Sequence, residues 1–162
     1  SYRSDVEQVA AKYDMSAYVD LILALMMQES SGQGTDVMQS SEGAYNTQYP
    51  QTPNGITDVD YSIACGIQEL KYSMAKADVT GPNDIANIKL ALQGYNFGAD
   101  VYFNYLEKNG ITSWSEESSK AFAEIASGET KRSKEDPLYD TAGPWDYGDQ
   151  YYPEHVLRYY HS

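Results

Sequence analysis

The stretch Leu21 to Met27, LILALMM, is apolar on every side of a helix. A helix with no polar face cannot lie on a surface and must be surrounded by other elements. It is also far shorter than the roughly 20 residues that cross a bilayer, so the centre of a globular core is the remaining place for it. Ser16 is placed to cap it, and Gln28-Glu29-Ser30-Ser31-Gly32 follows. One carboxyl, that of Glu29, therefore sits where a buried helix meets a loop. Burial and the partial negative charge at a helix C-terminus both favour the protonated form. A carboxylic acid that keeps its proton near neutral pH is what glycosidic cleavage requires, because the leaving oxygen must be protonated. Position alone also allows an exposed last-turn residue.

Other segments read as helices. Ser4-x-x-Glu7 has the form of a capping box before Val6, Val9, Ala10 and Tyr13. Asp58 and Asp60 suit the N-terminus of a helix running to about Ala77, with Ile63, Ile67, Leu70 and Met74 on one face. Pro82, Asn83 and Asp84 announce IANIKLALQGYNFG, and a further helix spans Ala99 to Lys108. Ser113-x-x-Glu116 opens another, to about Ser127, and Pro153 begins a last one, PEHVLRYY. Between them, residues 30 to 57 and 128 to 150 are rich in turn formers, the second segment reading as a long surface loop. Residues 42 to 57 leave room for a short hairpin. With no repeat and no dividing linker, a single all-α domain over residues 1 to 162 is expected.

The net charge of −13 argues against nucleic acid as a partner, since a binder needs basic groups to displace counterions from phosphates. Sixteen tyrosines suit sugar surfaces and wet clefts as well as cores. Cys65 is the single cysteine, which rules out an internal disulfide and a multi-cysteine metal site. Asp58, Asp60, Ser62 and Glu69 imitate positions of a calcium loop, but Ile63 stands where glycine is required. His155 and His161 are too few for a zinc site. No metal or cofactor is expected.

Three motifs in order carry a family resemblance. LALMMQESSGQGTDVMQSSEG resembles the catalytic segment of goose-type lysozymes and lytic transglycosylases, in which an apolar helix ends in Glu-Ser (Glu29, Ser30) and a Met-Gln pair follows (Met38, Gln39). DYSIACGIQEL is similar to the segment that pairs an isoleucine with a glycine three residues later, here Ile63 and Gly66. ALQGYNFG is similar to an Ala-Tyr-Asn-Ala-Gly motif, matched at Tyr95 and Asn96. The C-terminal GDQYYPEHVLRYY is similar to the ending of CwlT-type lysozyme-like domains of Gram-positive bacteria. Many lytic transglycosylases have Gly-Leu before Met-Gln, whereas this chain has Asp36-Val37, an aspartate that CwlT-type domains share.

The resemblance implies an all-α lysozyme-like fold and an extracellular or cell-surface muramidase. Its substrate is the peptidoglycan strand, cut between N-acetylmuramic acid and N-acetylglucosamine. It implies Glu29 as acid, with Asp36 either activating water or stabilising an oxocarbenium-like centre. The alternative for Asp36 is a helix cap. Ser30, Gln39, Ser40, Ser41, Tyr95 and Asn96 are the residues expected to hold sugar and water in a cleft bordered by residues 30 to 57 and the Tyr95 region. A monomer is expected. Hydrolysis is favoured over transglycosylation because of Asp36, and a wall-binding or surface-interaction domain without activity stays open, since fold alone does not establish activity.

Overall fold

In a computed structural model describing residues 2–161, the chain is built from α-helices joined by long, side-chain-braced loops. Its helices are α1 (Arg3–Lys12), α2 (Val19–Ser30), α3 (Val59–Lys76), α4 (Ile85–Phe97), α5 (Ala99–Lys108), α6 (Glu116–Ala126), α7 (Leu138–Thr141) and α8 (Tyr152–Leu157), with a 3-10 turn at Ser16–Tyr18. Among the described residues there is no sheet, and the one β-bridge joins Lys131 to Trp145. The hairpin expected in residues 42 to 57 is therefore absent. Asn46 accounts for this: its Nδ2 donates to the carbonyls of Ser41 and Tyr49, closing the segment into turns instead of a ladder.

Residues cluster into two compact units. The first comprises residues 1–72, 81–83 and 156–162. Its centre is α2, where Leu21, Ile22, Ala24, Leu25 and Met26 are essentially inaccessible, as the apolar run requires. Burying each of the larger side chains contributes about 1.5–3 kcal/mol. α1 packs along α2, but its cap is not the expected capping box. The helix starts at Arg3, with Tyr2 at the N-cap and no side-chain cap, because the Tyr2 hydroxyl donates to Gly32 O and draws the first turn forward.

The second unit comprises residues 73–80 and 84–155. α4 and α5 form a tight pair in which Gly94 leaves room for Phe103, and Ser73 at the end of α3 ties to α4, its Oγ donating to Ala91 O at 2.6 Å. Asp84 caps α4 through Asn87 N, as its sequence position predicts. The α6 cap is Ser115 rather than Ser113, and it accepts from Ser118 N. The 128–150 segment is more than a surface loop. Buried Arg132 donates to Gly143 O and Gly148 O, each at 2.8 Å, and buried Gln150 binds the carbonyls of Trp145 and Tyr147.

Candidate active site

α2 ends as its sequence dictates: Ser31 takes a left-handed conformation (φ 56) and its N–H returns to Met27 O. Glu29 thus occupies the last turn, half-buried. Ser30 ties that turn to the following loop, its Oγ donating to Val37 O at 2.7 Å and accepting from Gly32 N at 3.0 Å. The loop then runs along one face of α3. Ser62, Gly66 and Glu69, spaced i, i+4 and i+7, form that face.

Ser62 receives Asp36. Its Oγ donates to Asp36 Oδ1 at 2.7 Å, while Ser40 N–H donates to the same oxygen at 3.0 Å and Ser41 N–H to Oδ2 at 3.3 Å. Asp36 is only 2% exposed. Oδ1 carries two of these bonds and Oδ2 a single long one, so Oδ2 retains acceptor capacity for a further donor. Gly66 receives Met38, since a Cβ there would lie 2.7 Å from Met38 Cβ. Glu69 receives Gly43, whose missing side chain makes room for the Glu69 carboxyl.

Burial, with the negative charges of Glu29 and then Asp36 beside it, pushes the Glu69 carboxyl up to about 8. The shift favours its protonated form. In the sequence Glu69 reads only as a failed calcium ligand; its signal is its spacing of seven from Ser62 on the helix face that meets the loop. Among the described residues, no group of three or more His, Cys, Asp or Glu side chains is arranged to hold a metal ion.

The residues expected to hold sugar are distributed differently. Ser30, Ser40 and Ser41 turn their hydroxyls into the protein: Ser40 Oγ donates to Ser62 O and Ser41 Oγ to Thr52 O, and both residues are buried. Their polar groups are engaged in fixing the loop that presents Asp36. Gln39 is exposed, at φ 49, and its amide nitrogen donates to Asp36 O and Asn54 Oδ1. Tyr95 and Asn96 belong to the second unit. There Tyr95 stacks on Tyr152 with centroids 6.4 Å apart, and Asn96 Oδ1 accepts from Asp149 N at 2.8 Å.

The chain matches the lysozyme-like family over residues 1–160 and belongs to it. Over 98% of its length it is 32% identical to the bifunctional muramidase/DL-endopeptidase CwlT of Bacillus subtilis, covering 40% of that protein. Over 68% of its length it is 37% identical to a pneumococcal vaccine antigen A homolog of Streptococcus pyogenes, covering 50% of it. A solved Staphylococcus aureus structure, described as similar to a lipoprotein of the NLP/P60 family, aligns with 99% of this chain and 52% of its own at 28% identity and a TM-score of 0.80. The chain thus spans about half the length of these relatives.

Proposed function

We propose that this domain is an N-acetylmuramidase that hydrolyses the β-1,4 bond between N-acetylmuramic acid and N-acetylglucosamine in peptidoglycan, at the cell surface or outside the cell. Glu29 protonates the leaving oxygen. As the bond breaks, positive charge develops on the sugar ring, and a water held by Asp36 Oδ2 attacks the anomeric carbon, its proton passing to the carboxylate. Gln39, exposed on the loop that fixes Asp36, holds sugar.

The observation that carries this reading is the loop joining the two carboxylates. Ser30 fixes its start to Val37 O beside Glu29, and the Ser40 and Ser41 amides with Ser62 fix Asp36. Membership of the lysozyme-like family and the likeness to a muramidase of B. subtilis support the substrate class.

The test is digestion of purified cell walls by wild type and Glu29→Gln, followed by mass spectrometry of the products. Reducing-end N-acetylmuramic acid from wild type and at least about a hundredfold less from the variant are expected, since general acid catalysis contributes about 10²–10⁴-fold. Anhydro ends would make the domain a lytic transglycosylase, and binding without release would make it a wall-binding module.

A further inference from the structure

The second unit holds a groove to which the proposed cleavage gives no task. It encloses about 510 Å³ between α5 and α6, with Tyr147 of the 128–150 segment also in its wall, and small-molecule sites span about 300–1,000 Å³. Val101, Asn104, Tyr105 and Lys108, spaced i, i+3, i+4 and i+7, line it from α5, and Phe122, Ile125 and Ala126 line it from α6. Rings form its inner wall. Phe122, only 5% exposed, packs T-shaped against Tyr105 and Tyr147, with centroids 5.3 and 5.9 Å away. Tyr147 is fixed there by its hydroxyl, which donates to Phe97 O at 2.7 Å. Val101 and Ile125, 55% and 65% exposed, are the most exposed large hydrophobic side chains among the described residues, and both line this one groove. Exposed apolar surface gathered in one place marks a binding site, whereas the same residues scattered singly would not.

The polar groups of the groove are of one kind. Asn109 donates its amide to Tyr105 O at 2.8 Å, whereas the Asn104 amide, the Tyr105 hydroxyl and the Lys108 ammonium have no hydrogen-bond or ion-pair partner among the described residues. Neighbours on α5, they offer N–H and O–H donors beside one positive charge. No Asp or Glu lines the groove, in a chain whose 24 acidic residues outnumber its 11 lysines and arginines. A single cation suits a single negative charge better than the nearly double charge of a phosphate monoester. We propose that this groove binds a small amphiphilic monocarboxylate, with its apolar part on Phe122 between Val101 and Ile125 and its carboxylate on Lys108 and Asn104. A free acyl carboxylate and the C-terminal apolar residue of a short peptide share this chemistry. The groove lies within one unit, and its occupancy does not depend on the cleavage reaction.

The test is an amide NMR titration of the whole chain with octanoate, octanol and N-acetylphenylalanine, each kept below the concentration at which it aggregates. Wild type, Lys108→Gln and Ala126→Trp are compared, each with a melting curve to show that it is folded. In wild type, octanoate is expected to give saturable shifts centred on Asn104, Lys108, Ile125 and Ala126. Lys108→Gln removes the charge from an exposed side chain and is expected to weaken octanoate at least about fivefold, the loss of a charge-assisted hydrogen bond, while leaving octanol unchanged. Ala126→Trp fills the groove and is expected to weaken both. Tighter binding of N-acetylphenylalanine than of octanoate supports the site with a peptide C-terminus as its source, and the reverse order supports it with a free acyl acid. Equal octanoate affinity in wild type and Lys108→Gln, or shifts that do not saturate and spread over the surface, overturns the proposal.

Discussion

Ser62 Oγ donates to Asp36 Oδ1 at 2.7 Å and accepts from Met38 N–H at 3.0 Å, so one hydroxyl fastens both ends of a three-residue span to α3. The loop that follows Glu29 has no ladder of its own, and this hydroxyl stands in for one. Removing it with Ser62→Ala leaves a buried carboxylate one donor short. A loss of about 1–3 kcal/mol in unfolding free energy is expected, and chemical denaturation of the variant measures it.

Asp36→Asn keeps the shape of the side chain but removes its capacity to take a proton from water. The cleavage rate is expected to fall at least about tenfold, as for loss of a general base. Product analysis decides the outcome: anhydro ends formed equally well by the variant would show that no water is being activated.

Gly66→Ala tests packing against propensity. In a helix interior the exchange should stabilise by about 0.5–1 kcal/mol. Here the new Cβ falls 2.7 Å from Met38 Cβ and 2.8 Å from Cε, and overpacking of this kind costs about 1–3 kcal/mol. A net decrease in melting temperature is therefore expected, and an increase would show that Met38 moves aside freely.

The raised Glu69 carboxyl also makes stability depend on pH. Its folded value of about 8 lies above the ordinary 4.5, so between those values the folded chain holds a proton that the unfolded chain releases. Stability contributed by this group is fully present below about pH 4.5 and declines as pH rises toward 8. Partial solvent access limits the effect to on the order of 1–3 kcal/mol. Glu69→Gln should flatten the decline in a series of melting curves from acid to mildly alkaline buffer.

Asn96 accepts the Asp149 N–H at 2.8 Å, which gives it a structural duty beside any contact with sugar. Asn96→Ala should cost about 1 kcal/mol in unfolding free energy, whereas Asn96→Asp, which keeps the acceptor, should cost less. Equal losses in thermal melts would place the importance of Asn96 elsewhere.

The helices were legible wherever apolar spacing and caps agreed. Ala99–Lys108 and the Asp84 cap follow directly from the residues, and the LILALMM run lies at the centre of its unit. Misreadings arose where a side chain had two uses. Ser4 and Ser113 fit capping boxes locally, but Tyr2 and Ser115 hold the N-cap positions because longer-range or better-placed bonds prevail. In the candidate site, Glu29 and Asp36 stood out from motif and spacing. The inward turn of Ser40 and Ser41 did not, because a pair of serines between Gln39 and Glu42 reads as loop whether a hydroxyl meets solvent or the Ser62 carbonyl. Glu69 was hidden for a different reason: its partner across the fold is a glycine, which leaves no complementary residue type to notice.

Arg132 links the start of the 128–150 segment to its far end. Its guanidinium reaches Gly143 O and Gly148 O, and beside the bonds of Gln150 this planar fork is one of two buried side-chain anchors of the segment. Lysine, with one point charge, cannot span two carbonyls in that geometry. A chain altered to Arg132→Lys would therefore be open to proteases along the whole stretch rather than at one bond, and insertions would be tolerated in 133–142 far better than between the two anchored glycines.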